Sequence, residues 1–515
     1  MGKRTLGLDP PLSVGLSFRM SMESEPIGGR LFRLITSPWL IAGFVFLVLW
    51  FVGRVPDIAI DESLWSYIAN LWVRYGVPPY VGAIENKSPG IFEVFALTNL
   101  LFGVSYWLPR LLGVLSMAAA TLLISYLGRV LHGRLAGAFA GVIFGLMMSW
   151  VRMEGYWPAQ TESFMVLFTA LGFFLLIMDG RTKGIAGHVL VFASGLAAGL
   201  AIQFKQVAVF SAAAMFLFIL PEFKISLRDK LFCRGGLFLA GVATGVVVML
   251  IPLFLSGVTL WDYIDGAWFI LFQGGTAAPM AIRLTKGYNF WFRSEGVLIW
   301  VFVFIFIIQF RSFRDAGIPF WGIITWLILD FIGANSSGYY YGHQLKQVIP
   351  PVALAGGIGI AQVFRSLVKS GAISPDRFSS RAMLSLGILA LVLWGFSSTK
   401  TQQEARLDSQ KNLGLWLREN TTREDYIYVN TLARGGWAIL AYAERRCPSR
   451  YFNYMFLSRR GAMEEFSRDM HERKPKFIVD RPGDPWMNIS WFQGFLDSNY
   501  VLVKTEGDFR IFRLK

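Results

Sequence analysis

The sequence predicts an α-helical polytopic membrane protein of about eleven spans that ends in a small extracytoplasmic α/β domain. Three observations carry that expectation. Of the 515 residues, 54% are hydrophobic and 16% aromatic, more than soluble domains carry. Runs almost free of charge, such as Trp39–Gly53 and Leu237–Leu255, approach the ~20 residues that cross a bilayer as a helix. Polar residues gather after position 398, where short apolar runs alternate with helical patterns.

The formal net charge is +15. In a soluble protein such an excess would suggest nucleic acid. Here much of it lies in short loops between apolar runs, where it reports topology and contact with anionic headgroups. No nucleic-acid partner is expected. Cys233 and Cys447 fall on opposite sides of the membrane in the topology below, so no disulfide is expected. Four histidines scattered singly form no metal-ligand pattern, and neither a metal nor another cofactor is expected.

Residues 1–33 are basic and irregular, with Lys3, Arg4, Arg19, Arg30 and Arg33, and no small-residue cleavage site follows the next apolar run. They read as a retained cytoplasmic tail. A first span, 34–53, leads out. Next comes the stretch Ile60–Asn70, opened by Asp61 and Glu62. Leu64, Tyr67, Ile68, Leu71, Trp72 and Tyr75 fall at helical spacing, so this helix can lie along the membrane surface. The run 91–102 is apolar but short and carries Glu93, which suits a second interfacial helix better than a crossing. Outer-face juxtamembrane helices are therefore expected over about 61–103.

Spans follow at 108–127, 135–151, 163–178, 189–202, 208–220, 237–255, 297–310, 318–332, 348–364 and 383–396. The short turns assigned inside are basic, with Arg129, His132 and Arg134 in one and Lys224, Arg228, Lys230 and Arg234 in another. The turns assigned outside hold acids and aromatics, above all 257–294 and Tyr339-Tyr340-Tyr341-Gly342-His343. Residues 34–397 then form a membrane domain with the N-terminus in the cytoplasm, set in the plasma or inner membrane. Residues 398–515 form the outer domain. Helices are expected there at 413–419 and 463–473, strands at 426–429 and 476–480, and a hairpin of 500–503 with 509–512 across Gly507. No Gly-rich phosphate loop accompanies them.

Every chemically loaded motif lands on the outer face. Asp61, Glu62, Lys87, Glu162, Lys205, His343 and Lys346 lie at or just inside that boundary, with Glu85 in the same loop as Lys87. Ionisable groups at that depth are costly unless they line a cavity. Neighbours on a helix do not share a face, so one of Asp61 and Glu62 can aim into a cavity while the other pairs elsewhere. Each residue also has an ordinary reading. Asp61 suits an N-cap, Glu162 suits a cap or a pair with Arg152, Lys205 can snorkel, and the aromatic loop suits an interfacial belt. Their joint placement favours a site. Transfer of a sugar from a lipid phosphate fits it: a carboxylate takes the acceptor hydroxyl's proton, and fixed cations stabilise the departing phosphate. A single displacement of that kind inverts the anomeric carbon.

The chain resembles the GT-C glycosyltransferases that use polyprenyl-phosphate sugars, a group with protein O-mannosyltransferases, lipid A aminoarabinose transferases and bacterial relatives. The resemblance rests on Asp61-Glu62, Glu85-Asn86-Lys87-Ser88-Pro89-Gly90, Leu108-Pro109-Arg110-Leu111 and Thr161-Glu162. It continues through Lys205-Gln206, His343 with Val348-Ile349-Pro350-Pro351, and Arg446-Cys447-Pro448-Ser449-Arg450. It implies Asp61 as the base, with Glu62 and Glu162 assisting or shaping the cavity. It implies Lys87 and Lys205 on the phosphate side, and Glu85, His343 and Lys346 join them as expected substrate-binding residues. The chain departs from the family's acid-Lys-Pro-Pro at Asn86-Lys87-Ser88-Pro89, and from Arg-Tyr at His343-Gln344. The expected partners are a polyprenyl-phosphate sugar and a glycan, lipid or protein acceptor. A transporter or flippase is the competing reading; it predicts charges at span centres and an internal repeat, neither of which the sequence shows. A membrane anchor for a binding domain would leave the charged motifs of the membrane half unexplained.

Overall fold

The computed structural model describes residues 27–54, 60–155, 157–180, 182, 184–219, 230–273, 280–293, 295–310, 313, 319–397, 408–430, 436–481 and 491–515. Most of the expected tail, and the expected domain boundary at 398, lie outside these residues.

The first expected span is broken. Helix α1 (Ile27–Ile35) and helix α2 (Pro38–Val52) meet at a bend of 51°. Pro38 explains the break, since it lacks the N–H of a helix interior and biases Ser37 to the extended conformation it adopts (φ −71°, ψ 125°). Helix α3 (Ile60–Tyr75) and helix α4 (Pro89–Phe102) pack on each other. At 14 residues, α4 is about 21 Å long, short of a ~30 Å hydrocarbon core. Its second half exposes Leu97, Leu100, Leu101 and Phe102.

The bundle continues with α5 (Trp107–His132), α6 (Arg134–Met148), α7 (Thr161–Asp179), α8 (Ile185–Phe204), α9 (Ala208–Ile219) and α10 (Gly236–Leu255). Glycines let α8 and α10 approach closely. A Cβ on Gly195 would lie 2.0 Å from the Phe238 carbonyl oxygen, and one on Gly199 2.3 Å from that of Val242. Gly241 and Gly245 make the reciprocal approaches, a four-residue spacing of small residues suited to apolar surroundings. The long loop expected at 257–294 is largely helical instead, with turns over Leu260–Gln273 and helix α11 (Met280–Phe292). Then come α12 (Glu295–Ile307), α13 (Phe320–Ser336), α14 (Ile349–Lys369) and α15 (Pro375–Gly395). Among the described residues, six helices are long and apolar enough to span, or eight if each of two bent pairs is one crossing. Four shorter apolar helices accompany them: α4, α6, α9 and α13.

The C-terminal domain holds a four-stranded sheet, β1 (Ile427–Asn430), β2 (Phe477–Asp480), β3 (Tyr500–Glu506) and β4 (Phe509–Leu514), in the order β1-β2-β4-β3. β1 and β2 are parallel, with Ile427 opposite Phe477; the other pairings are antiparallel. Helices α16 (Asp408–Glu419) and α18 (Ala462–Glu472) fall where the hydrophobic spacing placed them. Helices α17 (Gly436–Ala443) and α19 (Phe492–Asn499) were not expected, because both are short and almost without period. Helix α3 ties the helical bundle to the C-terminal part of the chain. The Cys447 amide donates to Tyr67 Oη at 2.8 Å, Tyr75 Oη donates to the Glu444 carbonyl at 2.8 Å, and Arg74 pairs with Glu444 at 2.6 Å. One hydrophobic core runs from the bundle into this domain.

Candidate functional site

The start of α3 presents its two acids to different surroundings, as residues about 100° apart on a helix must. Glu62 is buried against Arg110 of α5, whose Nε lies 3.0 Å from Oε1 and Nη2 2.7 Å from Oε2. Arg110 also donates to the Gly53 carbonyl and sits over the Tyr106 ring. Glu62, expected to assist or to shape the cavity, forms one half of a bidentate pair that ties α3 to α5. Asp61 is half-buried and lies within electrostatic reach of Lys87, His343, Glu154 and Glu162. Burial raises its carboxyl above the ordinary range, with Lys87 and His343 pulling the other way.

Lys87 stands in the loop before α4, which Ser88 in extended conformation and Pro89 at the first turn begin. Its Nζ donates to Asn86 Oδ1 at 3.0 Å and lies 3.7 Å from Glu85 Oε1. Burial lowers the Lys87 ammonium, but the carboxylates of Glu85, Asp61 and Glu162 outweigh it and leave it raised. Burial likewise raises Glu85, against the pull of Lys87.

Helix α7 opens with Thr161 and the buried Glu162. The Glu162 carboxylate pairs with Lys205, accepts from Thr161 Oγ1 at 2.7 Å and lies 3.6 Å from His343 Nε2. Lys205 ends α8 in extended conformation. His343 begins a 3-10 turn, Gly342–Val348, and its Nδ1 lies 3.0 Å from Glu154 Oε2. Gln160 joins the next cation: its Nε2 donates to Glu154 at 2.8 Å, and its Oε1 accepts from the buried Lys346 Nζ at 2.5 Å. The rings of Tyr339, Tyr341 and His343 stack in series, at 5.9 and 5.7 Å.

The structure thus gathers Asp61, Glu85, Lys87, Glu162, Lys205, His343 and Lys346 around one region, with Glu62 paired to Arg110 and within electrostatic reach of Lys346. Sequence reasoning missed Glu154. Its signal was slight, a lone acid before Gly155 in a loop, where solvation is the ordinary fate. Its φ of +54° is uncommon for a residue with a side chain, and its carboxyl is held below the usual range by His343, Lys346 and Gln160 despite burial. Gln160 was missed as well, since an amide beside a span start carries no periodic signal. Among the described residues, no three or more His, Cys, Asp or Glu are grouped to hold a metal ion. The region combines a desolvated carboxylate with several ammonium groups, a set that can accept a proton beside a stabilised anion.

Solved structures share this architecture. ArnT from Cupriavidus metallidurans bound to undecaprenyl phosphate superposes with a TM-score of 0.64 at 14% identity, over 92% of this chain and 97% of that one. The archaeal oligosaccharyltransferase AglB from Archaeoglobus fulgidus, in complex with an inhibitory peptide and a dolichol-phosphate, gives 0.54 at 12% identity, over 87% and 69%. The same enzyme with Zn and sulfate gives 0.58 at 14% identity, over 86% and 68%. The chain therefore shares the fold of these structures, with several apolar helices and a small sheet at its C-terminus. By sequence, an uncharacterized protein of Aquifex aeolicus is 27% identical over 159 residues, which are 30% of this chain and 37% of that protein. The match thus spans well under half of that relative. No protein-family model matches the chain.

Proposed function

We propose that this protein is an integral-membrane inverting glycosyltransferase that moves a sugar from a polyprenyl-phosphate carrier to an acceptor hydroxyl. The observation that carries the reading is Asp61, a half-buried carboxylate facing Lys87 and His343 on the GT-C scaffold. The acceptor hydroxyl gives its proton to Asp61 as its oxygen attacks the anomeric carbon. The bond from that carbon to the phosphate oxygen breaks, and the phosphate leaves with the electron pair. Lys87, Lys205 and Lys346 stabilise that charge in surroundings poor in water, where Coulomb attraction is stronger than in bulk. Glu162 and Glu154 hold Lys205 and His343 in place.

Proteins of this fold with undecaprenyl phosphate and with dolichol-phosphate bound support a polyprenyl carrier. The sugar is a hexose or pentose unit, and the acceptor a glycan, lipid or protein hydroxyl. The site faces the extracytoplasmic side of the plasma or inner membrane, with the N-terminus in the cytoplasm, because the basic turns lie at the opposite ends of the spans. A monophosphate leaves less charge to neutralise than a pyrophosphate, so lysines suffice and no metal is obligatory. The test is transfer from polyprenyl-phosphate sugars by the protein in lipid nanodiscs. Asp61→Asn should lose about 10²- to 10⁴-fold in kcat while folding normally. Full activity in that variant removes Asp61 as the base.

A further inference from the structure

Lys205, Gln206 and Val207 interrupt the apolar run between α8 and α9, and each contacts a different part of the site. The Lys205 ammonium pairs with Glu162. Gln206 Nε2 donates to the carbonyls of Asn86 and Ala267, both at 2.8 Å. The Val207 carbonyl accepts from Gln347 Nε2 at 3.1 Å, and the same amide reaches Asp330 Oδ1 at 3.2 Å, which also accepts from Ser211 Oγ at 2.6 Å. Gln206 is 8% exposed and Gln347 2%. A Cβ on Gly333 would stand 2.4 Å from the Gln347 amide nitrogen, so glycine is what leaves room for it.

The placement along the chain gives these contacts their meaning. Gln206 follows Lys205 and grips the carbonyl of the residue before Lys87. Gln347 follows Lys346 and grips the same break. The segments carrying Lys87 and Lys346 are thus each fastened, through carbonyl groups, to the short stretch of backbone that carries Lys205. Glu162 and Glu85 offset the charges of Lys205 and Lys87, but such pairs do not fix the spacing between the segments that carry the lysines, and a neutral fastening must hold it. Amide-to-carbonyl bonds do so without adding charge or competing with the ligand for the ammonium groups.

We propose that Gln206 and Gln347 are positioning residues that set the spacing of Lys87, Lys205 and Lys346 and so preassemble the seat of the donor phosphate. The proposal rests on the glycosyl-transfer reading above for its substrate, not for its geometry. Gln206→Met and Gln347→Met remove the donors at nearly constant volume. Each should lower kcat/KM for a polyprenyl-phosphate sugar on the order of tenfold to a hundredfold, mostly through KM. The loss from Gln206→Met should shrink to little when Lys87→Met is already present, and that from Gln347→Met when Lys346→Met is present. A merely structural role would lower the melting temperature and multiply with the lysine losses, and full multiplicativity in both cycles overturns the proposal. Amide exchange of residues 85–88 should quicken in Gln206→Met; unchanged exchange also overturns it. If the wild type transfers no sugar, the glycosyltransferase reading falls, while the exchange measurement still decides the positioning. Gln206→Asn, too short to span both carbonyls, should give the same pattern and serves where the methionine variant does not accumulate.

Discussion

Glu162 stands at the N-terminal end of α7 paired with Lys205, and Asp179 stands at its C-terminal end paired with Arg234. Both acids are buried, and each meets its cation from a neighbouring segment. The first pair is embedded in further charge. His343 lies 3.6 Å from Glu162, Lys346 is tied to the same region through Gln160, and Asp61 and Lys87 complete the set. Beyond its Arg234 pair, Asp179 accepts the Thr182 amide at its backbone carbonyl, at 2.8 Å. A buried pair between neighbouring helical segments fastens them. A crowd of ionisable groups whose charges are held apart is organised for a ligand.

The sharpest way to break that contrast is to remove each cation in turn. Lys205→Met should lower kcat/KM about 10²-fold, because it takes positive charge from the phosphate seat and frees Glu162. Arg234→Met should leave kcat/KM of the folded protein unchanged and cost about 3 kcal/mol of stability. Equal kinetic losses from both would erase the distinction. Glu62→Gln tests the same idea beside the site. It leaves the buried Arg110 without its charge partner, so destabilisation of about 3–5 kcal/mol is expected, with turnover retained in the folded fraction. Loss of turnover at full stability would return Glu62 to the catalytic set.

A smaller effect concerns pH. As the proposed base Asp61 must be deprotonated, and burial raises its carboxyl above the ordinary value near 3.9. Activity should therefore be present above that raised value and fall as pH drops through it, giving an acid limb in kcat/KM at higher pH than a solvated aspartate would give. A limb at or below the ordinary value contradicts the burial of Asp61. The smallest expected change is that with a chelator: EDTA should leave the initial rate where it was, and a loss restored by added Mg²⁺ or Mn²⁺ would show that the lysines do not suffice.

Much of the site was legible because its members are costly where they stand. An ionisable residue at the end of an apolar run announces itself, and Asp61, Lys87, Glu162, Lys205 and Lys346 all do. Glu154 and Gln160 gave no such signal, since a polar residue in a loop costs nothing until the fold buries it. That α4 is a short helix was legible in the length of its apolar run. Pro38 carries the signal of the bend between α1 and α2, but hydropathy alone is blind to backbone geometry and reads one continuous run there.

Composition and periodicity by themselves determined that the chain is a helical membrane protein with a terminal sheet, and which residues are too polar to be mere filling. Only the tertiary structure decided that Glu62 closes on Arg110 while Asp61, its neighbour, faces Lys87 and His343. It alone brought Gln206 to Asn86 across 120 positions of chain. Burial patterns are written locally, in residues three and four apart, whereas the partner of a charge is chosen by whichever distant segment packs against it.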